Sequence, residues 1–116
     1  MVPSPQSTVL LVTGEGLGRG ERELQLTLAR KYFSLLGEND ILPNAICFYT
    51  EGVRLVVDGS PVLDQLKALE AKGVRLIVCS TCLDYYGLRD RVQVGIVGGM
   101  PDIIEVQFSA DKVVTI

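Results

Sequence analysis

In the stretch Val74-Arg75-Leu76-Ile77-Val78-Cys79-Ser80-Thr81-Cys82-Leu83-Asp84, an apolar run meets a helix-opening pattern. The run from Val74 to Val78 is short and β-branched, which predicts a buried strand. Thr81-Cys82-Leu83-Asp84 fits the capping box that starts a helix. The two cysteines therefore straddle a strand-to-helix junction, where the chain turns at the edge of a sheet.

The same alternation extends in both directions. Upstream, Ser60-Pro61 reads as a helix start with serine as N-cap, Val62, Leu66 and Leu69 form its buried stripe, and Gly73 ends it. Ala45-Ile46-Cys47-Phe48-Tyr49 is a further apolar strand, stopped by Thr50-Glu51-Gly52; Val53 to Val57 is either a short extended piece or a turn. Thr8 to Thr13 is the first strand. Leu24, Leu28, Tyr32, Leu35 and Leu36 recur at helical spacing, and Gly37 stands where a left-handed cap would end that helix. Downstream, Val94 to Val97 is a fourth strand, Pro101 opens a helix containing Ile103, Ile104 and Phe108, and Lys112 to Ile116 is a fifth strand.

Strand and helix in alternation predict parallel strands joined by right-handed crossovers. The expected architecture is α/β, a three-layer α/β/α sandwich on a mainly parallel five-stranded sheet. With 116 residues the chain is expected to be a single domain over 1–116, of which only Met1 to Gln6 look unanchored and flexible. In such sheets reactive groups gather at the carboxyl ends of the strands. Gly14 to Gly20, Thr50-Glu51, Cys79 to Cys82 and Gly98-Gly99 should therefore converge on one edge.

Composition narrows the chemistry. The formal charge is −3 and the eleven basic residues are scattered, so a nucleic-acid partner is not expected. No apolar run approaches the roughly 20 residues that span a bilayer, and Met-Val-Pro-Ser-Pro lacks the regions of a signal peptide. A soluble, cytoplasmic protein with no membrane partner is expected. Histidine is absent, which excludes Cys-His and Ser-His nucleophile pairs and histidine metal sites. The chain has three cysteines, fewer than the four ligands a structural zinc takes, so neither a metal nor a cofactor is expected.

A thiol attacks only as thiolate, and a helix N-terminus can bring its pKa from roughly 8.5 into the range of about 3.5–7.5. Cys79 lies just before such a start and is the candidate nucleophile, provided that it is accessible. Cys82, one turn on, is within reach of a disulfide with Cys79 or could resolve a persulfide; the bland alternative for both is packing as small core residues. Cys47, between Ile46 and Phe48, reads as core. Gly14-Glu15-Gly16-Leu17-Gly18-Arg19-Gly20 occupies the place of a phosphate loop but lacks both the dinucleotide and the Walker patterns, so a flexible turn is the simpler reading. Residues that could line the site are Gly16, Gly18, Arg19, Thr50, Glu51, Ser80, Thr81, Tyr85, Gly98 and Gly99.

Three stretches carry a resemblance to a known family: Leu66 to Val74, Val78 to Leu88 with its Cys79-Ser80-Thr81-Cys82, and the closing Ala110 to Ile116. From Thr8 to Ile116 the chain resembles the DsrE/DsrF-like group, most closely the C-terminal domain of YedF, a sulfurtransferase-like selenium-metabolism protein. Ser80 stands where the family pattern usually has glycine, Thr50 or Glu51 where asparagine is common, and Gly98-Gly99-Met100 where Thr-Asn-Met is expected. The resemblance implies a DsrE-like fold and a sulfur or selenium carrier that relays a persulfide on Cys79. It also implies a homo-oligomer, with TusA-like or cysteine-desulfurase-type proteins as donors and acceptors. A thiol-disulfide redox protein using the Cys79/Cys82 pair and a non-catalytic anion- or nucleotide-binding module are the alternatives.

Overall fold

The computed structural model describes residues 7–116, so the expectation for Met1 to Gln6 lies outside the described residues. Five strands form one parallel sheet: β1 (Thr8–Val12), β2 (Ala45–Phe48), β3 (Arg75–Cys79), β4 (Ile96–Gly98) and β5 (Lys112–Thr115), in the spatial order β4-β3-β2-β1-β5. Four α-helices connect them: α1 (Arg22–Glu38), α2 (Leu63–Ala71), α3 (Ser80–Tyr86) and α4 (Met100–Ser109). Successive steps from β1 to β4 move in one direction across the sheet, and the step to β5 goes back past them all. With right-handed crossovers, α1, α2 and α3 therefore lie on one face and α4 on the other. The expected α/β architecture is what the structure has.

Strands β1, β2 and β3 are central and nearly every residue in them is buried, as continuous apolar runs in a parallel sheet require. Phe33, Phe48, Ile46, Leu55, Leu66, Leu69 and Leu76 are the largest fully buried side chains. Edge strands β4 and β5 are mostly exposed.

Several local expectations shift. On α1 the buried residues are Ala29, Phe33 and Leu36, while Leu24, Leu28 and Leu35 face outward at 55, 38 and 54 % exposure. Of the expected stripe, Leu36 is buried and Tyr32 half-buried, while the sheet-facing side is completed by Ala29 and Phe33. Helix α1 runs through Gly37 to Glu38, and Asp40 makes the left-handed turn instead, with φ 52°. Helix α2 starts at Leu63 rather than Pro61, with Val62 as its N-cap; the Ser60 hydroxyl accepts the Val62 N–H at 3.3 Å. Gly73 does end it, at φ 97°. The segment after β2 is neither extended nor a simple turn but a 3-10 helix, Thr50–Val56.

Candidate functional site

All four loops expected at the carboxyl edge leave strands that run the same way, so they do share that edge. The centre of the edge is built by β2 and β3, adjacent strands whose last residues lead directly into helical turns. Helix α3 begins at Ser80 with Cys79 itself in the N-cap position and no loop between. The box expected from Thr81 and Asp84 does not form, because Cys79 is the N-cap and Thr81 already lies within the helix; Asp84 is held in a two-pronged ion pair by Arg89, at 2.7 and 2.8 Å.

This tight junction overturns one expectation. Cys79 is only 1 % exposed and is not the accessible thiol. It is still the last residue of a central strand, in register with Gly98 of β4, and the first turn of α3 follows without a break. The half-buried sulfur is Cys82. Its thiol lies against that of Cys79 and accepts the backbone N–H of Thr50 at 3.0 Å. Both thiols are free.

Thr50 is the residue that joins the strands. Its φ of 48° is a left-handed conformation that a β-branched residue rarely adopts, and such strain is typical of functional positions, at about 1–3 kcal/mol. The hydroxyl is placed to donate to the Thr13 carbonyl at the end of β1 or to the Tyr49 carbonyl, which fixes the turn. Gly52 packs so closely on β1 that an added Cβ would meet the Val12 carbonyl oxygen at 2.1 Å. The result is a backbone N–H aimed at Cys82. Its place after β2 puts Thr50 among the expected lining residues but does not reveal this role, since a positive φ at threonine leaves no composition signal.

Burial pushes the Cys82 thiol pKa above its ordinary value; the Thr50 N–H opposes the shift and the neighbouring Cys79 adds to it. Cys47 is fully buried in β2, as its neighbours suggested, and burial raises its pKa from 9.0 to about 11, with Arg75 opposing. Because folding raises this pKa, its contribution to stability is complete below pH 9.0 and declines as pH rises to about 11. The decline attributable to this thiol is roughly 2–3 kcal/mol. Urea unfolding across that window is expected to be flatter in Cys47→Ala than in the natural chain; equal slopes would contradict the assignment.

The other expected lining residues divide. Ser80 is half-buried and Thr81 exposed on the first turn of α3, and Gly98 sits beside Cys79 across the β3–β4 ladder. The Gly99 N–H donates to Asp102 at 2.8 Å, which starts α4. Glu51 is exposed. Tyr85 is 84 % exposed and stacks edge-on against Tyr86, whose ring carries the Arg54 guanidinium 4.3 Å from its centre. The glycine loop after β1 folds back on α1: Leu17 donates to the Gln25 carbonyl, the Gln25 amide donates to Gly18, and Gly16 abuts the Gln25 backbone. Arg19 is exposed, and Arg22 pairs with Glu15 at 2.8 Å. A depression of about 510 Å³ lies at the opposite edge, between Ser7, Asn44, Arg75 and Ser109, and contains no thiol.

The DsrE/DsrF-like family matches residues 7–116, nearly the whole chain and all of the site just described. The chain belongs to the DsrE/DsrF-like family. Among solved structures it is similar to the YchN protein of E. coli, with 21 % identity, TM-score 0.71, and 95 % of this chain and 99 % of that one covered. It is also similar to a protein of unknown function from Methanobacterium thermoautotrophicum, with 18 % identity, TM-score 0.69 and coverage of 94 and 97 %. A third, from Bacteroides thetaiotaomicron, gives 13 % identity, TM-score 0.64 and 95 % coverage of both chains. At these identities the three structures speak for the fold. No curated protein matches the chain. Among the described residues, no helix is long and apolar enough to cross a membrane.

Proposed function

We propose that this DsrE-family protein is a sulfur carrier in which the Cys79/Cys82 pair holds a sulfane sulfur as a persulfide, with Cys79 as the carrier position that the family resemblance implies. The observation that carries the reading is the juxtaposition of two free thiols at the carboxyl edge, with a backbone N–H at 3.0 Å from the outer one. A carrier needs a thiolate that attacks, a sulfur that leaves, and no further catalytic group. That fits a chain with no histidine.

Donors and acceptors would be proteins that present a persulfide or a thiol, of the cysteine-desulfurase or TusA-like kind, and a second copy of the chain would be a neighbour. The YedF-like cysteine stretch extends the proposal to selenium, which reacts at the same atoms. Incubation with a persulfide donor is expected to give a protein one sulfur heavier by intact mass. Cys79→Ser/Cys82→Ser, which retains Cys47, is expected to gain nothing. An unmodified wild-type chain, or an equal gain in the double variant, contradicts the carrier. The same samples under native conditions read the subunit number, and a monomer removes the self-association.

The redox alternative has the same pair of thiols in its favour. It differs in needing a cycling disulfide, and failure to reduce insulin would count against it.

A further inference from the structure

Resting on the carrier reading above, we propose that sulfur enters at Cys82 and is then passed inward to Cys79, so that the two thiols form an ordered relay. Cys82 is the member of the pair that reaches solvent, and Cys79 is 1 % exposed behind it. A donor protein can therefore bring its sulfur to Cys82 but not to Cys79. The Cys82 thiolate attacks the terminal sulfur of a donor persulfide R–S–SH. The Cys82 S–S bond forms, the donor S–S bond breaks, and the donor leaves as a thiolate that takes up the proton Cys82 gave to solvent.

The second step is internal. Cys79 attacks the terminal sulfur of Cys82–S–SH, the bond to Cys82 breaks, and the Cys79 proton passes to the Cys82 sulfur. The products are Cys79–S–SH and Cys82–SH; no electron enters or leaves. Thr50 sets the direction. Its strained backbone holds an N–H 3.0 Å from Cys82 Sγ, and that bond stabilises negative charge on the sulfur that must leave. The sulfur then rests on the covered thiol, away from reductants in solution.

The test is a time course with cysteine persulfide as the probe, read by intact mass and fragment-ion mapping. In the wild type the retained sulfur is expected on Cys79. Cys82→Ser is expected to take up sulfur on the order of tenfold more slowly or worse, because both remaining thiols, Cys79 and Cys47, are covered. Cys79→Ser is expected still to load, on Cys82, but to lose its sulfur to glutathione on the order of tenfold faster, because the adduct stays on the outer thiol. Cys82→Ala repeats the measurement with a side chain that leaves no unpaired hydroxyl, and thermal melts verify that each variant is folded. Loading of both Cys82 variants at the wild-type rate, or no loading of Cys79→Ser, overturns the relay while leaving the carrier standing. A wild type that never gains sulfur overturns both.

Discussion

Gly52→Ala is expected to destabilise the protein by about 3 kcal/mol or more, beyond the usual range for an added methyl group in a packed core. The new Cβ would stand 2.1 Å from the Val12 carbonyl oxygen and 2.8 Å from its carbon. Both are backbone atoms of a central strand, so no side-chain rotation relieves the clash. The 3-10 segment must instead move off β1. Thr50 lies two residues earlier, and its N–H would move with it. Urea unfolding should show the loss, and the Cys82 thiol of any folded fraction should change its reactivity. A variant within about 1 kcal/mol of the natural chain would mean that the segment does not press on β1 as described.

The second large effect is on rate. Burial raises the Cys82 thiol pKa, and the Thr50 N–H only partly offsets this. The attacking species is the thiolate, whose fraction grows about tenfold per pH unit below the pKa. Alkylation of Cys82 by iodoacetamide is therefore expected to accelerate about tenfold between pH 7 and pH 8. Cys82 should be modified first, with Cys47 untouched in the folded protein. A rate that levels off at or below neutral pH would mean that the thiol is activated rather than held protonated. The same sign applies to sulfur uptake, which should rise with pH unless the bound donor lowers this pKa.

The sheet was legible because apolar runs such as Ala45 to Tyr49 and Leu76 to Val78 are short, continuous and bounded by glycine or polar residues. Such runs suit strands covered on both faces. Strand order was not legible, since nothing in β5 itself says that it pairs with β1. Helix faces were harder. On α1, Leu24, Leu28 and Leu35 satisfy helical spacing as well as Ala29, Phe33 and Leu36 do, and only the packing against the sheet separates them. Helix starts slipped where the chain entered the helix earlier or later than the capping pattern, as at Ser80 and Leu63.

At the site, the cysteine pair could be read from its spacing, because a strand followed by a helix puts two such residues at one edge. Which thiol faces solvent could not. That depends on the absence of any loop residue between β3 and α3, a one-residue detail with a large consequence for access. The Thr50 turn was hidden for a related reason: threonine is an improbable residue at positive φ, and it is contacts distant in sequence, such as the one with Thr13, that hold it there.

The most direct test of the central claim is a crystal structure of the protein after treatment with cysteine persulfide, with the sulfur positions located by their anomalous signal. One additional sulfur is expected, bonded to Cys79 Sγ and beside Cys82. Unmodified Cys79 and Cys82 in fully reacted crystals, or the extra sulfur on Cys47, would contradict the claim.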